Sequence, residues 1–334
     1  MAMARNASLS EPTYFDFSIV ICTYNGAQRL PALFEHLLAC WQFVPPDRPR
    51  LRWEILVVDN NSSDDTAALV QQVQVQWPQD CPLRYCFEVQ QGASYARELG
   101  VREARAALIG FLDDDNLPAP DWVDAAHRFA QDYPQAGAFG SQIHGDFEVE
   151  PPPELKALLP FLAIVERGQD PLRYDSPKRV LPPSAGLVVR RQAWLGSMPE
   201  TCLLRGRKPG SMVTGEDTEA LTYLLRSGWE IWYNPAMQLW HRIPHWRLER
   251  SYLIPFFQGI GLSRYVTRMQ ALSPWLRPLA LLAYALNDLR KALGILLCYG
   301  FGLRHSLVAQ CELTLSLASL RSPLHFWRLG ASPF

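Results

Sequence analysis

Along the first half of the chain, apolar and polar positions come in blocks of two kinds. Phe17–Cys22 is a continuous apolar run rich in β-branched residues that ends in Thr23-Tyr24-Asn25-Gly26. That pattern predicts a buried strand feeding a polar loop. Leu30 to Trp41 then carries its apolar residues at helical spacing. Glu54–Val58 predicts a second strand, followed by a polar turn and a helix. Ser62 and Ser63 are candidate caps for that helix, and Asp64 and Asp65 suit the positive end of its dipole. Tyr85–Val89, Ser94–Ala106 and Leu108–Leu112 continue as strand, helix and strand.

This alternation implies right-handed crossovers and a mainly parallel α/β sheet flanked by helices. Ligands of such sheets gather outside the carboxyl ends of the strands. Three predicted strands end there in polar clusters: Thr23-Tyr24-Asn25, Asp59-Asn60-Asn61 and Asp113-Asp114-Asp115. Beyond Phe139 the pattern loosens. "EVEPPPELKALLP" and "VLPPSAG" are proline-marked connections expected to loop over the site. Gly186–Arg190 is strand-like, "EDTEALTYLLRSG" is a helix closed by Gly228, "WEIWYNP" is a strand, and "LWHRIPHW" leaves it.

After Ser251 the character changes. Leu279–Leu286 and Ala292–Leu303 are uncharged apolar runs separated by Asn287-Asp288-Leu289-Arg290-Lys291. Neither reaches the roughly 18–20 residues that a bilayer span needs. Arg242–Phe334 holds eleven Lys and Arg against three Asp and Glu, so residues 1–241 carry −9 of a whole-chain charge of −1. Basic charge beside short apolar runs suggests helices lying on an anionic membrane surface, or else a buried helical subdomain or oligomer interface. The balanced total charge argues against a nucleic-acid partner. Seven scattered cysteines without a CxxC pair imply neither a disulfide framework nor a zinc site and suit a reducing cytosol. "MAMARNASLSEPTYFDF" lacks the apolar core of an export signal.

Three adjacent aspartates at the end of an apolar strand need an explanation, because burying one unpaired charge costs several kcal/mol. One answer is a solvated turn, with Asn116 and Pro118 as turn formers. The other is a hard divalent cation, Mg²⁺ or Mn²⁺, shared between carboxylate and phosphate oxygens. No GxGxxG follows the first strand and no GxxxxGK[ST] occurs, which counts against a dinucleotide dehydrogenase or a P-loop NTPase.

"SIVICTYNG", "EILVVDNNSSDDT", "GASYARELG", "IGFLDDDN" and "GEDTEALTYLLRSG", in this order, resemble a family 2 glycosyltransferase with the GT-A nucleotide-diphospho-sugar transferase fold. The resemblance covers roughly Phe17 to His241. It implies inverting transfer of a sugar from a nucleoside-diphosphate sugar to an acceptor hydroxyl, with Mn²⁺ or Mg²⁺ as cofactor. UDP is the default nucleotide, with GDP and dTDP open, and the acceptor is a glycan or a lipid-linked glycan. Thr23, Tyr24, Asn25 and Asp59 match nucleotide-binding positions, as does Arg97, although Glu98 stands where the family usually has Asn. Asp113 and Asp114 match donor-ribose and sugar contacts, and Asp115 matches the metal ligand of the DXD motif. Asp217 matches the catalytic base, with Glu216 as its orienting neighbour. His241 stands where relatives place a further metal or diphosphate ligand, and His245 is a second candidate. Ser184 and Gly186 resemble the acceptor-side segment.

The implied organisation is a transferase domain over 1–241, with a nucleotide-binding half near 17–115 and an acceptor half near 116–241. A basic, apolar helical region over 242–334 follows. The tail "WHRIPHWRLERSYLIPFFQGIGLSR" resembles exopolysaccharide transferases of the cyanobacterial, hormogonium-polysaccharide type, which implies a cytoplasmic protein peripheral on the inner membrane. Asp217 at a helix N-terminus is expected to stay ionised through the dipole. Trp194, Trp229, Trp232, Trp240 and Trp246 are either core or a sugar-stacking platform, and Arg190 and Arg191 face diphosphate or solvent. Two rivals remain: a sugar nucleotidyltransferase, and a non-catalytic carbohydrate-binding or scaffold protein on the same fold.

Overall fold

The structure, a computed structural model, describes residues 15–175 and 180–330. The expectation about an export signal falls mostly on residues 1–14, outside the described residues. Strand β1 (Phe17–Thr23) lies at the centre of its half of the sheet, with Phe17, Ile19, Val20 and Ile21 fully buried. Helix α1 (Leu30–Gln42) buries Leu30, Leu33, Phe34, Leu37 and Cys40, the face its spacing predicted. Strand β2 (Trp53–Asp59), helix α2 (Thr66–Gln76), strand β3 (Leu83–Phe87), helix α3 (Ala93–Glu103) and strand β4 (Leu108–Asp113) complete a parallel layer in the order β3-β2-β1-β4. Gly100 lets α3 touch β1, since a Cβ there would lie 2.3 Å from Val20 Cγ1.

Next in the chain come β5 (Asn116–Pro118), α4 (Trp122–Asp132), β6 (Ala136–Phe147), β7 (Leu172–Arg173), β8 (Leu187–Arg190), α5 (Arg191–Ser197), α6 (Glu216–Arg226) and β9 (Glu230–Ile243). Here the parallel pattern gives way. β8 runs antiparallel to both β4 and β6, β6 is parallel to β9, and the short β5 and β7 flank β9 in antiparallel pairs. The sheet is therefore parallel in its first half and mixed in its second.

Several local expectations change. Ser62 and Ser63 do not cap α2. Ser62 Oγ accepts from the Asn25 backbone N–H at 2.8 Å, and the Ser63 N–H donates to Asn25 Oδ1 at 2.8 Å. The two loops at the carboxyl edge thus satisfy each other's polar groups, while the Thr66 N–H finds Asp64 Oδ1 at 3.1 Å. "PELKALLPFL" is a 3₁₀ helix (Pro153–Leu162) rather than an open loop. Strand β9 does not stop at "WEIWYNP" but runs through His241, with burial alternating from Met237 to Ile243.

The remaining chain forms α7 (Arg250–Gln270), α8 (Arg277–Tyr299) and α9 (Leu307–Arg328). α7 and α9 cross closely at Gly261, where a Cβ would meet Ala318 Cβ at 2.5 Å. With the 3₁₀ helix they build a second apolar cluster that includes Leu155, Leu158, Leu162, Phe257, Cys311 and Leu315. Helix α8 joins the first apolar run to the greater part of the second, with the polar patch in its middle, and a 3₁₀ helix (Gly300–His305) carries the rest. No helix among the described residues is long and apolar enough to cross a membrane.

Candidate active site

The carboxyl ends of β1 and β4, the N-terminus of α6, the end of β9 and α7 surround one cavity of about 2030 Å³. The three aspartates at the end of β4 each meet a different environment. Asp114 is held inside the protein: Arg29 Nε donates to its Oδ1 at 2.6 Å, Arg29 Nη2 to Oδ2 at 2.8 Å, and Thr23 Oγ1 to Oδ2 at 2.6 Å. Asp115 faces His241 and Arg247, with Arg247 Nη2 at 2.7 Å and His241 Nε2 at 3.5 Å from Oδ2. Burial alone would raise its pKa, yet the cationic charge around it holds it well below the usual carboxylate range. Asp113 makes no side-chain hydrogen bond to a described residue, and burial pushes its pKa up. Its backbone N–H is fixed by Asn116 Oδ1 at 2.9 Å, so the carboxylate is held at the cavity wall with open lone pairs.

Across the cavity, Glu216 and Asp217 open α6 behind Gly215, whose φ of 103° lies in the left-handed region that favours glycine. Glu216 Oε1 accepts from Arg97 Nη1 at 3.0 Å, and Arg97 Nη2 donates to Ser184 Oγ at 2.6 Å. Arg97 thus braces the acid pair and the 180–186 loop from below. Asp217 Oδ1 accepts the Thr218 N–H at 2.7 Å. Asp217 stays mostly ionised at neutral pH, but the helix dipole does not set its titration. Burial, then the neighbouring Glu216, push its pKa up to about 6. Both effects outweigh a dipole worth about 0.3–1 kcal/mol at a helix end.

Tyr24 also lines the cavity. Asn25, Asp59 and Gly186 lie behind its wall. Asp59 is buried and accepts from the Ser62 N–H at 2.9 Å and Tyr85 Oη at 2.8 Å, which shapes the loop. Gly186 has φ of 65°, and a Cβ there would lie 2.1 Å from Leu239 Cδ2, so its requirement is packing. His245 turns away to Glu148 at 2.9 Å. Arg190 and Arg191 lie outside the cavity and are half-exposed: they donate to the carbonyls of Ala130, Tyr133 and Ala136, and of Val101 and Arg102. Among the five tryptophans, Trp194 is core against Phe111 and Trp246 lines the cavity. Reading the chain missed Arg207, which lines the cavity and donates to Tyr252 Oη at 2.8 Å, and Arg247. Arg29 stood out only as a poor triphosphate ligand. No spacing rule marks any of the three, because their partners lie far away in sequence.

The residues fit a divalent cation in part. His241 Nδ1 faces the Leu162 carbonyl at 2.9 Å, so it carries the proton and Nε2 presents a lone pair. That lone pair and Asp115 Oδ2 converge on the Arg247 guanidinium, so a positive charge already stands between them. Among the described residues no three His, Cys, Asp or Glu form a metal-holding group. Two protein ligands leave the rest of the coordination shell to phosphate and water, the habit of Mg²⁺-type ions.

A twisted sheet whose carboxyl edge carries this acidic cluster belongs to the GT-A class of sugar-transferase folds. The mannosyltransferase PcManGT of Pyrobaculum calidifontis shares the fold, with a TM-score of 0.57 and 18% identity over 96% of this chain and 91% of that one. TarS of S. aureus does so with a TM-score of 0.50 and 13% identity over 92% of this chain and 55% of that one. Within that class, residues 18–182 match the family described as Glycosyl transferase family 2. Curated relatives include glycosyltransferase AglE of Haloferax volcanii, 31% identical over 32% of this chain and 33% of that protein. The succinoglycan biosynthesis protein ExoM of Rhizobium meliloti is 31% identical over 31% of each chain. These matches span about a third of the curated relatives' lengths.

Proposed function

We propose that the chain is a metal-dependent, inverting glycosyltransferase. It moves a sugar from a nucleoside-diphosphate sugar, with UDP, GDP or dTDP as nucleotide, to a hydroxyl of a glycan or lipid-linked acceptor in exopolysaccharide biosynthesis. The observation that carries this reading is that two half-buried carboxylates, Asp113 and Asp217, line one cavity, and neither makes an ion pair with a described residue. Asp113 has open lone pairs for donor hydroxyls. Asp217 accepts the proton of the acceptor hydroxyl as its oxygen bonds to the anomeric carbon. The bond from that carbon to the diphosphate oxygen breaks, and nucleoside diphosphate leaves. A divalent ion at Asp115 and His241 would neutralise charge on the leaving diphosphate. The Pyrobaculum neighbour, solved with GDP-Man and Mn²⁺, supports both a nucleotide-sugar donor and that ion. Residues 1–241 would be the transferase domain, divided near 115 into nucleotide and acceptor halves. Thr23, Tyr24, Asn25 and Asp59 form or shape the nucleotide end, and Ser184 and Gly186 shape the acceptor side. Arg97 and Glu216 position Asp217.

A nucleotidyltransferase would need a free cation soon after β1 to grip triphosphate. Arg29 is already bound to Asp114 in two places, which disfavours that rival.

Region 242–334 would rest on the cytoplasmic face of an anionic membrane. Leu279, Leu282, Leu286, Leu289, Leu293 and Leu296 of α8 all point outward. Trp275 (78% exposed), Phe301 (96%) and Trp327 (75%) extend the apolar area past both ends of that row. A two-helix seam would leave those aromatics uncovered, whereas a membrane interface accepts them. Arg290, Arg304 and Arg328 supply matching charge for anionic lipid.

Asp217→Asn tests the central claim. Transfer from a radiolabelled donor is expected to fall by about 10²–10⁴-fold, while the Mn²⁺-dependent thermal shift with nucleoside diphosphate persists. Full turnover in that variant would remove Asp217 from the role, and release of pyrophosphate would favour the nucleotidyltransferase.

A further inference from the structure

The cavity continues past the acid pair. Ser263 of α7 packs against Gly215, where a Cβ would lie 3.1 Å from Ser263 Oγ, two residues before Asp217. Arg264, Thr267 and Arg268 follow on the cavity side. Arg268 lies about 7.5 Å along the axis from Ser263 at 1.5 Å per residue. Arg226 of α6 and Lys291 of α8 complete this end.

Charge here is unbalanced. The described ion pairs of the cluster run to one carboxylate, Asp288, which is 1% exposed. Arg268 binds it at 2.5 and 3.0 Å and lies over the Tyr284 ring at 4.6 Å, which uses up that cation. Arg264 stands 3.9 Å from Asp288 and 3.4 Å from Ser319 Oγ, both long. Burial and the nearby Arg268 push its pKa down to about 10, as expected for a buried cation short of negative charge. Arg226 gives one N–H to the Gln270 carbonyl at 3.2 Å.

Helix α8 has two unlike faces. Tyr284, Asp288 and Lys291, at i, i+4 and i+7, belong to the polar side next to α7 and the cavity, opposite the exposed leucines. One helix thus separates a basic recess from an apolar outer surface. We propose that this recess seats the phosphate or diphosphate of a lipid-linked acceptor, whose lipid leaves past α8 toward the apolar face. The proposal rests on the glycosyl-transfer reading and adds the chemical class of its acceptor. The acceptor's phosphate is held on α7 and α8, and its sugar hydroxyl reaches back to Asp217.

Calorimetric titration of the full chain with monomeric farnesyl diphosphate tests this, with farnesol and phosphatidylglycerol vesicles as separate arms. Farnesyl diphosphate is expected to bind one to one and more tightly than farnesol. Lys291→Ala, an exposed change that spares the fold, and Arg264→Gln are each expected to raise Kd about tenfold. Unchanged Kd in both variants would overturn the proposal. So would binding to vesicles alone, which would assign these cations to bilayer headgroups. A parallel thermal shift with Mn²⁺ and nucleoside diphosphate separates the two readings. Nucleotide binding without farnesyl diphosphate binding sinks the acceptor site alone, whereas the reverse sinks the transferase reading and leaves an anion site.

Discussion

At the residue scale, the three aspartates have one sequence context and three fates. Asp114 is consumed by Arg29, Asp115 faces Arg247 and His241, and Asp113 is left open. The sequence shows that acids end β4, but partner assignment needs residues 85 and 132 positions away to arrive. Two predictions belong here. Burial and Glu216 raise Asp217 to about 6, and a base must be ionised to act. Transfer should therefore fall as pH drops through about 6. Glu216→Gln removes a like charge, so the acid limb of the kcat/KM profile should move to lower pH; a limb that stays or moves up would contradict this. Arg247→Ala removes the guanidinium paired with the buried Asp115, a loss of about 3–5 kcal/mol for breaking a buried pair. Melting without metal should drop accordingly, and Mn²⁺ should raise the melting temperature of the variant more than that of the parent. Equal Mn²⁺ shifts would deny that the guanidinium and the ion share a place.

At the element scale, strands β1, β2 and β4 and helix α1 were legible because their apolar patterns match buried faces. β9 was cut short in the reading. Met237, Leu239, His241 and Ile243 alternate inward, but Trp240 and His241 resembled a loop with chemistry rather than a strand with a buried histidine. That alternation was the available signal. α5 went unseen because seven residues carry too little periodicity to register. Gly259 shows what an element boundary demands. A Cβ there would lie 1.8 Å from the Met212 carbonyl oxygen, so Gly259→Ala must push α7 off the loop that leads to Gly215. Destabilisation by at least about 1–3 kcal/mol is expected, together with loss of transfer exceeding the loss of fold. Denaturant melts alongside rate measurements check both.

At the scale of the whole molecule, α7 and α8 line one end of the cavity, and α8 turns a leucine row outward. The triple change Leu282→Ser, Leu289→Ser and Leu296→Ser should leave the protein in the supernatant when phosphatidylglycerol vesicles are sedimented. The unaltered protein should pellet at low salt and be released at high salt. If the changes instead split a dimer without altering sedimentation, the row is a self-association seam. By itself the sequence determined the alternating strands and helices of the parallel layer, its acidic carboxyl edge and the basic character of the tail, because these depend on local periodicity and charge count. Only tertiary structure decided which aspartate stays open, that burial outweighs the helix dipole at Asp217, and that an arginine stands between Asp115 and His241. Those outcomes are set by desolvation and by charges brought together from distant parts of the chain, and neither is encoded at any fixed spacing.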